Sequence, residues 1–255
     1  MSSTISITLG EVAASLVLIG VAIAVSFWRR AELEQDIAVA VFRSFIQLTA
    51  IGYVIQAIFD TDSLWLVVAL LAGMVAFGTW TARGRAKGVP GVTGPILLAL
   101  GVAAAVTLGL VIGVGVFKPE PRYLVPVGGM VIGNSMTAAA VSLNRLADEV
   151  SSSAREIEAS LALGATSRQA AAGLVARSLR SGMIPLVDST KTTGVVFFPG
   201  AMVGMLLAGA EPVDAVRLQM ILLWALLGSV ALAALLATSL AYRNFFTPAH
   251  QLRER

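Results

Sequence analysis

Glu158-Ala159-Ser160-Leu161-Ala162-Leu163-Gly164-Ala165 stands inside a polar, basic segment, Asn144 to Ser181, with long apolar runs on both sides. The octet has helix-forming and small residues up to a glycine, which takes the left-handed conformation that closes a helix. Upstream, Ser151-Ser152-Ser153 offers a cap, and Glu156 and Glu158 follow where a helix dipole favours negative charge. Downstream, Thr166 or Ser167 can cap a second helix from Arg168 to about Arg180. The stretch reads as helix, turn, helix: a polar elbow whose flanks are too apolar for water.

Those flanks make up most of the chain. Of 255 residues, 57% are hydrophobic and 13% charged, with mean hydropathy +0.85, whereas an ordinary soluble domain carries about 25% charged residues. Seven apolar segments can be marked, at about 9–28, 37–59, 64–82, 95–117, 123–143, 183–207 and 217–242. The expected fold is all-α: a polytopic transmembrane helix bundle of about seven spans, multi-pass in a lipid bilayer. No repeat, low-complexity tract or linker divides it, so residues 1–255 are expected to form one membrane domain, with the hairpin at about 144–181. The first run, from near Leu9, has no basic region before it and reads as an anchor. After it, Ala31 to Asp36 is either a turn or a short surface helix.

Loop charge sets the orientation. With the amino terminus outside and seven spans, thirteen basic residues fall on the inner side, among them Arg29, Arg30, Arg83, Arg85, Lys87, Arg243 and Arg255, against Lys118 and Arg122 outside. The outer loops carry Asp60, Asp62, Glu120, Glu211 and Asp214 instead. This asymmetry favours amino terminus out, and carboxyl terminus and elbow in the cytoplasm. The isoelectric point near 9.7 reflects this topology rather than a nucleic-acid face, because the basic residues are dispersed between apolar runs.

Ionisable groups inside a span call for a partner or a role. Asp188 and Lys191, three apart in the sixth segment, share a helical face and can neutralise one another or border a cation pathway. Continued as a helix, that face runs through Thr192 and Val195 to Pro199 and Met202. Pro199-Gly200 is expected to kink or unwind the span and bare carbonyl oxygens, while Met202 or Met205 offers weak sulfur or simply packs. In the fifth segment, Met130, Asn134, Thr137 and Val141 recur at helical spacing, and Gly129-x-x-x-Gly133 suits close approach of another helix. Arg43 and Gln47 lie near the inner end of the second segment, where Arg43 either snorkels to headgroups or pairs with acidic groups of the elbow.

Enzyme chemistry has little to work with. There is no cysteine, which excludes thiolate metal sites and cysteine nucleophiles, and the sole histidine, His250, is in the polar tail. Asp188 is the only carboxylate well inside a predicted span, so no aspartate dyad forms, and Thr190-Lys191-Thr192 lacks the glycines of a phosphate loop. The chain is expected not to be an enzyme and to bind no cofactor; no metal ligands can be assigned.

The elbow has two readings, a cytoplasmic hairpin without a partner, or a small-residue helix seated in a partner's groove whose rigid turn transmits the partner's movement to the next span. The octet resembles E-A-[AS]-x-x-x-G-A, with which permeases of ATP-binding-cassette transporters dock onto a cytosolic ATPase. The resemblance implies that Glu158, Ala159, Gly164 and Ala165 couple to that ATPase, and that ATP and Mg are bound there. A wider resemblance joins Arg43 to Leu48, Gly128 to Met136, the octet, Val187 to Gly194 and Phe198 to Met202, and covers about 37–250. In these the chain is similar to the FetB family of bacterial iron-export permeases and related plant aluminium-tolerance proteins. It departs from the general permease pattern at Leu174-Val175-Ala176-Arg177, where I-x-L-P is usual, so import is unsupported. The resemblance implies a homodimer in the inner (plasma) membrane, two ATPase partners, and export of a metal cation, iron first. Asn134, Asp188, Lys191 and Met202 are the residues expected to line or support the path. An organic solute, or a scaffold that only recruits a cytosolic protein, are the alternatives.

Overall fold

Unbroken runs of Leu, Ala, Val and Ile satisfy every backbone amide internally only as helices, which is what a bilayer demands. The computed structural model describes residues 9–61 and 63–253; of the residues used for orientation, Asp62 and Arg255 lie outside the described residues. The helices are α1 (Leu9–Arg29), α2 (Glu34–Thr61), α3 (Leu64–Arg85), α4 (Thr93–Gly113), α5 (Pro121–Ser152), α6 (Ala154–Ala162), α7 (Ser167–Thr192), α8 (Gly200–Leu207) and α9 (Pro212–Ala241), then a 3-10 turn, Tyr242–Phe245. Among the described residues there is no strand, only the isolated bridges Thr193 to Phe197 and Phe246 to Leu252. The all-helical expectation is borne out.

Among the described residues, six helices are long and apolar enough to cross a membrane: Gly10–Arg29, Glu34–Thr61, Leu64–Arg85, Thr93–Gly113, Pro121–Ser152 and Pro212–Phe245. This is a multi-pass membrane protein. The remaining expected span, 183–207, is not one helix. It consists of the end of α7, a non-helical stretch 193–199, and α8 of eight residues.

The chain divides into two compact units, Met1–Thr61 and Asp62–Arg255. In the first, α1 and α2 meet at a tight turn with no surface helix. There the Ser26 hydroxyl donates to Glu34 Oε1 at 2.7 Å and accepts the Leu33 N–H at 3.1 Å, while Arg30 and Glu32 adopt φ of 54° and 56°. Trp28, Phe42, Leu48 and Tyr53 point outward, as lipid-facing helices require.

In the second unit α5 is central, packing against α3, α4, α7 and α9. Ile96, Leu100, Leu143 and Leu146 are fully buried, and Ile157, Ala171, Leu174, Phe245 and Phe246 join the same core. The elbow and the start of the tail are therefore built into the bundle. Close approach on α5 falls at Gly128 rather than in the expected Gly129 and Gly133 pair. A Cβ at 128 would collide with the Leu71 side chain, whereas one at 133 would meet nothing within 4 Å.

Candidate functional site

The elbow forms from local signals. α5 runs to Ser152 and α6 restarts at Ala154, with Ser153 (φ −103°, ψ 18°) making the break and no serine hydroxyl capping α6. At the other end Gly164 adopts φ 91°. The Ala165 N–H donates to the Ser160 carbonyl and the Gly164 N–H to the Leu161 carbonyl, each at 3.0 Å. These two bonds are a Schellman closure, which needs the left-handed residue that glycine supplies. Thr166, not Ser167, caps α7: its hydroxyl accepts the Gln169 N–H at 3.3 Å, and Gln169 Oε1 accepts the Thr166 N–H at 2.9 Å.

Ile157 is buried and Leu161 packs against the core, so α6 presents Glu158, Ala159 and Ala162 outward. Leu163, at the tip, is 90% exposed. Ala165 is half-buried beside the turn. A small-residue helix face ending in one bare leucine on a closed turn is suited to a partner's groove.

Of the expected path residues, Asp188 and Lys191 are brought together: Lys191 Nζ lies 3.0 Å from Asp188 Oδ1, on an exposed face of α7. They border an open groove of about 590 Å³, with Arg180, Met183 and Val187 on the same helix; neither Asn134 nor Met202 lines it. Asn134 is exposed, and its amide donates to the Met130 carbonyl at 2.8 Å, so α5 itself supplies the partner that an amide in lipid needs. With Thr137 and Val141 it makes one exposed stripe, as the spacing suggested. Met202 is buried on α8, which packs against α9.

The continuous face from Asp188 to Met202 is corrected. α7 stops at Thr192, seven residues before Pro199, because Gly194 adopts φ 87° and the Val195, Val196 and Phe197 N–H groups converge on the Thr192 carbonyl at 3.3, 3.0 and 3.3 Å. Pro199 instead precedes the first turn of α8. Val195 and Val196 stand 85% and 79% exposed. Among the described residues no three His, Asp or Glu side chains converge as metal ligands would.

The family model described as "Uncharacterised protein family (UPF0014)" matches residues 9–246. The chain belongs to the UPF0014 family. It is 40% identical over 244 residues to "UPF0014 membrane protein STAR2" of Oryza sativa subsp. japonica, covering 94% of this chain and 85% of that one. With "Protein ALUMINUM SENSITIVE 3" of Arabidopsis thaliana it shares 38% over 244 residues, 94% of this chain and 88% of the relative. With "Probable iron export permease protein FetB" of Escherichia coli (strain K12) it shares 36% over 247 residues, 97% and 95% of the two chains. The resemblance read from the motifs is thus confirmed across nearly the whole length. No solved structure gives a significant match.

Two features of this UPF0014 chain escaped sequence reasoning. Glu149, buried near the end of α5, is paired with Arg145 one turn earlier and with Arg177 of α7, whose Nε and Nη2 each donate to Oε2 at 2.7 Å. The carboxylate raises the already high pKa of the Arg177 guanidinium, first through this hydrogen bond. His250 belongs to a docked tail rather than a free one: its Nδ1 lies 2.7 Å from the Ser167 hydroxyl and accepts the Ser167 N–H at 3.3 Å. Beside it, the Asn244 amide donates to the Pro90 carbonyl at 2.8 Å. Only the i,i+4 spacing of Arg145 and Glu149 was a readable signal.

Proposed function

We propose that this protein is the membrane-spanning permease of an ATP-driven transporter that exports a metal cation, with iron the first candidate, while a separate cytosolic ATPase binds ATP and Mg. The observation that carries this reading is the elbow. A rigid, capped turn bears an exposed Glu158, Ala159, Ala162 and Leu163, and its inner face joins the core of α5 and α7. Such a unit serves to receive a stroke. Relatedness to a protein named as an iron export permease supports the cargo and the direction.

In this reading the chain is a single permease domain that dimerises in the inner (plasma) membrane. The segment 183–207 crosses as a seventh, broken span. Ten residues of α7 and eight of α8, at about 1.5 Å each, give roughly 27 Å of helix, close to the roughly 30 Å hydrocarbon thickness. Seven crossings with the amino terminus outside put the basic loops and the elbow in the cytoplasm. Glu158, Ala159, Gly164 and Ala165 couple to the ATPase. Asn134, Asp188, Lys191 and Met202 line or support the path, which opens to alternate sides as the elbow moves.

A second reading, an organic solute, is favoured by the lack of converging metal ligands among the described residues. Inside-out vesicles holding permease and ATPase decide between them. Nucleotide-dependent accumulation of ferrous iron is expected; hydrolysis stimulated only by an organic solute supports the second reading, and indifference of both fluxes to ATP leaves a scaffold.

A further inference from the structure

Glu149 is 6% exposed, and nothing in the transport reading so far uses it. A carboxylate is seldom buried without a reason, because leaving water disfavours its charge unless partners replace the lost hydrogen bonds. Here the partners are Arg145 on the same helix and Arg177 on α7, twenty-eight residues further along the chain. Glu156 of α6 also adds to the field at Arg177. The cluster sits where α5 leaves the bundle core to enter the elbow and where α7 returns.

Deeper between the same helices, Gly182 of α7 lies against Ser142 of α5: a Cβ at 182 would collide with the Ser142 hydroxyl and come within 2.7 Å of the Ala138 carbonyl oxygen. Glu149 thus faces Arg177 while Ser142 faces Gly182, the order that antiparallel helices give. The two helices are held at the mouth of the elbow by an ion pair, and again about a turn further along α7 by backbone-close packing. Held at both points, the elbow cannot swing without moving α5 and α7 together. Those are the helices that carry Asn134 and the Asp188–Lys191 pair.

We infer that Glu149 is a positioning residue for coupling: with Arg177 it forms a strut that closes the mouth of the elbow, so that movement delivered to α6 reaches α5 and α7 as one body rather than flexing the turn. The inference rests on the proposed coupling to an ATPase. It assigns the strut no contact with cargo or nucleotide.

The test is the amount of ferrous iron moved per ATP hydrolysed in vesicles holding the permease and its ATPase. Glu149→Gln keeps the size of the side chain and one carbonyl acceptor but removes the charge. It is expected to lower iron moved per ATP about tenfold, within the range of allosteric coupling energies, while hydrolysis without iron, membrane level and ATPase co-purification stay at wild-type values. Arg177→Ala should do the same. The charge-keeping variants Glu149→Asp and Arg177→Lys should retain more of the ratio than Glu149→Gln and Arg177→Ala, which a purely bulk packing role would not produce. An unchanged ratio in Glu149→Gln overturns the inference, as does a fall in flux fully matched by a fall in the amount of assembled complex. A wild-type permease whose iron flux ignores ATP overturns the transport reading itself, and is distinguished because it appears before any variant is made.

Discussion

The elbow, residues 153–166, and the break, residues 193–199, both interrupt helices, but with opposite materials. The elbow is closed by a Schellman turn and a capping box, with Ile157 inside and an ion pair at its mouth. The break is closed mainly by backbone, three amides sharing the Thr192 carbonyl, with the Thr192 and Thr193 hydroxyls donating back to the Ser189 carbonyl, and it turns Val195, Val196, Phe197 and Phe198 outward. Each has one glycine with positive φ, 91° at Gly164 and 87° at Gly194. The elbow is suited to pass on force from a protein partner. The break is an apolar loop; under the seven-span reading it is suited to the path or to a protein-covered position within the membrane, where irregular backbone is tolerated.

The sharpest way to separate the two is charge. Under the seven-span reading, Val196→Lys places an ammonium in the hydrocarbon and costs about 2.5–3.5 kcal/mol near its centre; an insertion assay on the 183–207 segment measures it. A near-zero cost would place the break in water and remove the seventh crossing. Next comes packing. Gly182→Ala is expected to destabilise the α5–α7 stem by about 1–3 kcal/mol, read as thermal stability in detergent, while Gly133→Ala, with open space around it, should be neutral.

The matched glycines follow. Alanine at either position carries roughly 1–2 kcal/mol of left-handed strain, yet the consequences should differ. Gly164→Ala, and more so Gly164→Val, should abolish iron-stimulated hydrolysis with insertion intact, whereas Gly194→Ala should alter iron flux and leave ATPase binding untouched. Identical defects would erase the distinction between the regions. The smallest effect is expected at Asp188 and Lys191. Their pair is exposed in the single chain; where that face lines a hydrated path, a double-mutant cycle on stability should give below about 1 kcal/mol, and a larger coupling would mean that lipid or another surface covers it.

The same difference in materials explains what could be read in advance. Gly164, Thr166 and the acidic start of α6 are side-chain signals for a helix end, and the elbow was legible through them. Asp188 and Lys191 were legible because i,i+3 spacing in a helix is local. The end of α7 at Thr192 was not, since an apolar run of Val and Phe beside threonines fits a helix or a loop, and Pro199 stands seven residues too late. Glu149 and His250 escaped for another reason: their partners Arg177 and Ser167 are distant in sequence, and no periodicity links them. Spacing alone marks Gly129 and Gly133, whereas the position of Leu71 makes Gly128 the point of close approach.

The chain has no cysteine, so a single Leu163→Cys variant reports the tip of the elbow without background. Membrane-impermeant thiol labelling of this variant, in intact cells and in inside-out vesicles with and without the ATPase, tests the central claim most directly. The account predicts labelling only from the cytoplasmic side, and protection when the ATPase is bound. Labelling from outside intact cells, or labelling at the same rate with the ATPase present, would contradict it.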